Sequence, residues 1–305
     1  MRSPSSPPDS AAAALDAGDR AAVDAALHVV CDRSLHVLPP GVAAAVRYSL
    51  LGPGKRLRPI LLLAAYRAAG GSGNASALAA SVEVVHSYSL VHDDLPCMDD
   101  DDLRRGRPTT HRVYGIAHAM TAGLVMVPLA VRTAMDAARG LGLPDAACGA
   151  IVRKLMQASG GGGMVGGQLL DLEGEGRLLS LAELERIHRA KTGSLIAAAV
   201  EIGAMAADAS DDVVGALAEY GNAVGLAFQV TDDVLDATAS SDQLGKTAGR
   251  DAVLRKSTYP ALLGVEGAMA RARAFAEQAC LALERSGVLT PSLERLAHFA
   301  VARQR

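Results

Sequence analysis

The stretch VEVVHSYSLVHDDLPCMDDDDLRRGRPTTH, residues 82–111, begins as an apolar helix and ends as a dense charge run. Six aspartates fall between positions 93 and 102, and Arg104, Arg105 and Arg107 follow at once. Pro96 biases the residue before it away from helical geometry, so the helix is expected to end near Asp94 or Leu95. Asp93 then stands on the last turn, and the short turn LPCM returns Asp99 to its side. A charge run in a loop is usually solvated, so a binding role needs a second observation.

FQVTDDVLDAT, residues 228–238, supplies one. Asp232 and Asp236 are four apart and share one face of a helix, among Phe228, Val230, Val234 and Leu235, which favour burial. Two carboxylates about 4 Å apart repel by roughly 4 kcal/mol at an effective dielectric of 20, and a cation removes that cost. Two such clusters in one chain point to a shared cation site.

The chain around them reads as all-α. Its 305 residues are 50% hydrophobic but only 3% aromatic, with no Trp, so the core is built from Ala, Leu, Val, Ile and Met, which suits close-packed helices better than sheet. Helices are expected over 11–35, 41–50, 57–69, 74–95, 115–139, 144–172, 180–207, 211–238, 258–286 and 291–303, with only short Gly, Pro or Ser breaks. SGGGGMVGG, residues 159–167, falls inside one of these. Each glycine there costs up to about 1 kcal/mol against Ala, so it marks either a close approach of backbone or ligand, or a loop between two helices.

Residues 1–10, rich in Ser and Pro, are read as a disordered arm, and residues 11–305 as one domain. The arm lacks the apolar core of a secretory signal. The run 120–131 is interrupted by Pro128 and is too short to span a bilayer, so no membrane span and a cytoplasmic location are expected. The four cysteines are scattered singly, which argues against a zinc site and a disulfide scaffold and for a reducing compartment. A net charge of -3 gives no general footprint for nucleic acid.

Carboxylates without Cys or His ligand spacing suit magnesium, which takes a few protein oxygens and completes its shell with substrate phosphate. Basic residues to meet such phosphates come from several places: Lys55, Arg56 and Arg58 in GPGKRLRP; Arg104, Arg105 and Arg107; and Lys191, Lys246 and Lys256. GPGK lacks the spacing of a nucleotide-binding loop. The combination suggests a departing diphosphate assisted by metal.

These segments, taken with GGQLLDL, AKTGSL, LGKTAGRD and KSTYPALLG in the same order, resemble the trans-isoprenyl diphosphate synthases, notably the short-chain farnesyl and geranylgeranyl enzymes. The resemblance implies an isoprenoid-synthase-type helical bundle around a central substrate cavity. It also implies a homodimer, and the condensation of isopentenyl diphosphate with an allylic diphosphate such as dimethylallyl or geranyl. By the same resemblance Asp93, Asp99 and Asp232 hold magnesium, three ions with substrate bound, supported by Asp236 and Asp171. Arg104, Lys191, Thr192, Gln229, Lys246 and Lys256 hold the allylic diphosphate; Lys55, Arg58, His86 and Arg105 hold isopentenyl diphosphate; Gln168, with Asp171, lines the cavity. Tyr88 and Ser89, just before the first aspartates, would set product length, and a large Tyr88 favours a fifteen-carbon product over a twenty-carbon one. Leu124 stands where the family usually carries Asp, a change expected to remove a polar group near the cavity. That departure keeps a non-catalytic subunit in view, and the aspartate-rich helix keeps a terpene cyclase, though two sets of diphosphate ligands argue against the cyclase.

Overall fold

A computed structural model describes residues 17–238 and 256–303. The N-terminal arm 1–10 and Lys246 lie outside them. The helices are α1 (Ala17–Ser34), α2 (Pro40–Leu50), α3 (Leu57–Ala68), α4 (Ser76–Asp93), α5 (Thr110–Tyr114), α6 (Ile116–Gly140), α7 (Asp145–Ser159), α8 (Met164–Glu173), α9 (Leu181–His188), α10 (Ser194–Ala206), α11 (Asp211–Thr238), α12 (Tyr259–Arg285) and α13 (Pro291–Ala302). Among the described residues the only strands are β1 (Leu103–Arg104) and β2 (Arg107–Pro108), an antiparallel pair. The fold is all-α, as the composition implied.

Local chemistry explains the ends. Thr258 and Thr290 cap α12 and α13 by accepting from the N–H groups of Ala261 and Leu293, each at 3.3 Å and each with proline in the first turn. Ser180 and Glu183 close a reciprocal capping box on α9. Such caps are each worth about 1 kcal/mol. α11 buries Leu217, Tyr220, Val224, Ala227, Val230 and Val234, an apolar stripe at helical spacing that lies against α12.

Three expectations change. The helix expected over 144–172 is two, α7 and α8, because residues 160–163 form a turn; a Cβ on Gly163 would lie 2.1 Å from the Ala158 carbonyl oxygen. The helix expected over 180–207 widens into a π-helical turn at Arg189–Gly193 between α9 and α10. Pro128 does not interrupt α6, which runs through it for 25 residues. By length and composition alone α6 could cross a membrane. Its Ala119, Ala122, Met126, Ala130, Ala134 and Ala138 are fully buried, with α4 packed alongside, as in the core helix of a bundle.

Two apolar clusters meet at α3 and α10. One gathers α1, α2, α4, α6 and α7; the other gathers α11, α12 and α13. The two acidic segments end α4 and α11, one on each side of this junction.

Candidate active site

The first acidic segment closes on itself. α4 ends at Asp93, the Met98 N–H donates to the Leu95 carbonyl at 2.9 Å, and the Asp99 N–H donates to the Asp93 carbonyl at 2.8 Å. The turn thus returns Asp99 beside Asp93. Asp99 Oδ1 is buried without a hydrogen-bond partner. Burial pushes the Asp93 carboxyl up to about 6, with Lys191 opposing and Asp99 adding to the rise. Two acceptor-only groups crowded in a partly dry place favour a cation between them.

The other aspartates of the run divide. Asp94, 3% exposed, accepts from Arg104 Nε at 2.8 Å, and Asp101 lies 3.3 Å from Arg104 Nη2. Asp102 pairs with Arg112. Arg104 is therefore anchored from behind by Asp94, a role the sequence did not reveal. Arg105 and Gly106, at φ 53° and 73°, form the two-residue hairpin turn between β1 and β2, a turn that needs two positive φ angles. The turn carries Arg105 to the GPGK loop, where its Nη1 donates to the Pro53 carbonyl at 2.7 Å.

That loop is held by Arg56. Its guanidinium, 4% exposed, pairs with Asp24 and with the buried Glu83, both at 2.8 Å, and donates to the Leu50 and Gly52 carbonyls. Arg56 is thereby consumed as a strut, while Arg58 turns inward. Arg58 Nη1 donates to His86 Nε2 at 3.3 Å, and Arg58 Nε is buried without a partner. Burial lowers Arg58 to about 10, Glu83 resisting and Arg105 assisting. Burial and the surrounding arginines hold His86 neutral, well below its usual range. Arg58, His86 and Arg105 form a cation-rich recess that an anion would stabilise. Lys55 lies over the Phe299 ring at 5.6 Å.

Between the two acidic segments, α8 meets the π-turn. A Cβ on Gly167 would fall 2.1 Å from the Lys191 nitrogen, so only glycine permits this approach. Lys191 and Lys256 both donate to Asp171 Oδ2, at 2.6 and 2.8 Å. Burial opposes the charge on Lys191, but Asp171, Asp93 and Asp99 together raise its ammonium above the usual range. Burial likewise opposes the Asp171 charge, and the two lysines hold it far below the usual carboxylate range. Asp171, expected to support metal, serves here as the anchor of two lysines. Gln168, 5% exposed, has neither side-chain oxygen nor nitrogen partnered.

On α11 the aspartates again take different roles. Thr192 donates to Gln229 Oε1 at 2.8 Å, and Gln229 Nε2 donates to Asp233 Oδ1 at 3.2 Å. Asp233 Oδ2 accepts the Tyr259 N–H at 3.0 Å and so fastens the start of α12. Asp233 is structural, which its sequence setting did not separate from its neighbours. Asp236 is buried and Asp232 is half exposed. Asp232 Oδ1 receives Arg303 Nη1 at 2.6 Å, a partner that sequence reading missed because it comes from the far end of the chain.

Tyr88 is half-buried on α4, with its ring edge-on to His92 at 4.9 Å, and burial raises its hydroxyl pKa. The Ser89 hydroxyl donates to the His86 carbonyl of its own helix at 2.8 Å. Leu124 is 58% exposed on the face of α6 that also exposes Ile116 and Met120, not among these polar groups. The expected loss of a polar group near the cavity is corrected accordingly.

The Polyprenyl synthetase family model matches residues 39–285. The farnesyl diphosphate synthase of Escherichia coli is 45% identical over 272 residues, covering 87% of this chain and 90% of that protein. A chloroplastic geranylgeranyl pyrophosphate synthase of Arabidopsis thaliana is 43% identical, covering 79% of this chain and 66% of that one. The crystal structure of a Helicobacter pylori geranyltransferase complexed with magnesium and isoprenyl diphosphate superposes with a TM-score of 0.80 at 29% identity, covering 98% of both chains. The chain belongs to the polyprenyl synthetase family.

Proposed function

We propose that the protein is a magnesium-dependent short-chain prenyltransferase that condenses isopentenyl diphosphate with dimethylallyl or geranyl diphosphate to make farnesyl diphosphate. The observation that carries this reading is the opposition of two poles. Asp93 and Asp99 crowd carboxylates at one, with Asp99 Oδ1 unpartnered; Arg58 and Arg105 supply the cations at the other, around a neutral His86.

The residues present fit magnesium, because the donors are hard carboxylate oxygens. Among the described residues no three His, Cys, Asp or Glu side chains are grouped to hold a metal ion by themselves; magnesium takes a few carboxylates and completes its shell with substrate phosphate. Asp93, Asp99, Asp232 and Asp236 would hold it, and three ions are inferred from the resemblance alone. Bound there, magnesium supplies charge to neutralise a departing diphosphate.

The chain's own residues do the rest. Lys191 and Arg104, kept charged and oriented by Asp171 and Asp94, stabilise the allylic diphosphate as it leaves, and Lys256 adds to them. Lys55, Arg58 and Arg105 hold isopentenyl diphosphate, with neutral His86 as a hydrogen-bonding partner. Thr192 and Gln229, hydrogen-bonded to each other, offer a hydroxyl and an amide N–H to the allylic diphosphate, and Gln168 adds unpaired polar atoms. The departing diphosphate accepts the final proton, so no dedicated protein base is required. Tyr88, backed by His92, limits chain length. The exposed row Ile116, Met120 and Leu124 on α6 is an apolar face of the kind a homodimer covers, and a cytoplasmic location suits four free thiols, Cys31, Cys148 and Cys280 buried and Cys97 exposed.

Purified protein given isopentenyl and dimethylallyl diphosphates with magnesium is expected to release diphosphate and yield a fifteen-carbon prenyl product, with turnover lost on chelation. No turnover alone but a changed rate with a catalytic homologue would make it a subunit. A cyclic product from one preformed prenyl diphosphate would make it a cyclase.

A further inference from the structure

Arg303 lies at the end of α13, yet its guanidinium reaches the second acidic cluster. Its side chain is 3% exposed, and Nη1 meets Asp232 Oδ1 at 2.6 Å. Nη2 donates to the Phe228 carbonyl at 2.5 Å, Nε donates to the Ala300 carbonyl at 3.3 Å, and the guanidinium lies 3.6 Å over the Phe228 ring. Phe228 stands one turn before Asp232 on α11. Arg303 is therefore seated on both the ring and the carboxylate, and its position is built rather than incidental.

The seating has an electrostatic consequence. Asp232 shares a helix face with Asp236, and that pair favours a cation. Magnesium binds carboxylate oxygen at about 2.1 Å, and a guanidinium on the same oxygen competes by occupying the lone pairs and by repelling the dication. We propose that Arg303 is a place-holding cation: it neutralises Asp232 while the site is metal-free and has to leave that oxygen when metal binds. The proposal rests on the reading of Asp232 as a metal ligand. Metal affinity at the second cluster is thus set by the C-terminal helix as well as by α11.

The test titrates the metal-free full-length protein with Mn2+ alone, following free Mn2+ by electron paramagnetic resonance. The proteins are wild type, Arg303→Ala, Arg303→Lys, Asp232→Asn and the Arg303→Ala/Asp232→Asn double variant, with folding checked by circular dichroism. An ion pair of this kind is worth up to about 1 kcal/mol, so Arg303→Ala is expected to bind Mn2+ roughly fivefold more tightly at one site. Arg303→Lys falls between, and the double variant gains nothing over Asp232→Asn. Unchanged or weaker binding by Arg303→Ala, or no binding by either protein, overturns the proposal; if Asp232→Asn still loses a site, the ligand reading survives. Unchanged stoichiometry and affinity in Asp232→Asn overturns the ligand reading and this proposal together.

Discussion

The backbone N–H of Asp99 donates to the carbonyl of Asp93 at 2.8 Å, and this single bond turns six residues of charged loop into a two-carboxylate site. It spans the break that Pro96 imposes, so the second carboxylate is positioned by main chain rather than by a long flexible side chain. Little ordering is left to do when a cation arrives.

Asp93→Asn and Asp99→Asn should each lower turnover by at least about a hundredfold, the scale of removing one transition-state charge stabiliser. Steady-state release of diphosphate measures it. Either variant with full activity would mean the metal ligands lie elsewhere.

Tyr88→Ala should lengthen the product beyond that of the wild type while leaving the diphosphate ligands untouched. Chromatography of the dephosphorylated products reads this directly. An unchanged chain length would place the cavity floor on another residue.

Arg56→Ala should destabilise the fold by about 3–5 kcal/mol, because it strands the charge of Glu83, which is 2% exposed. Denaturant unfolding measures it. Arg56→Ala/Glu83→Gln should recover part of the loss, since removing both partners is less costly than removing one. A loss below about 1 kcal/mol would show that the strut contributes little.

His86 is held neutral, so the unfolded chain binds its proton more readily than the folded one. The His86 contribution to stability should therefore fall as pH drops below about 6.5, the ordinary histidine value, while Asp93, raised to about 6, contributes in the opposite sense below that pH. His86→Gln should flatten that part of the pH dependence, followed as midpoint denaturant concentration between pH 7.5 and 5.5. An identical slope in the variant would show that other groups carry the acid sensitivity.

Periodicity alone placed most helices within a few residues, and Asp211–Thr238 coincides with its expected bounds because an unbroken apolar stripe runs its whole length. The glycine turn at 160–163 was one of the two readings that the run of glycines left open, whereas the π-turn at Arg189–Gly193 was hidden because it depends on what packs against it. The Asp93 and Asp99 pairing was legible because proline and a six-residue spacing act locally. Arg56, Asp94 and Asp233 read in sequence like their charged neighbours, and only their burial and partners separate them from binding residues.

The sequence by itself determined the all-helical class, the two acidic segments and the dispersed set of cations, because helical periodicity, proline breaks and motif order are properties of neighbouring residues. Tertiary structure alone decided which carboxylate faces solvent, which lysines share Asp171, and that Arg303 sits on Asp232. Those outcomes depend on distances between helices far apart in the chain. Burial then settles whether a charge is a strut or a ligand, since a charge removed from water has to be answered by whatever packing brings to it.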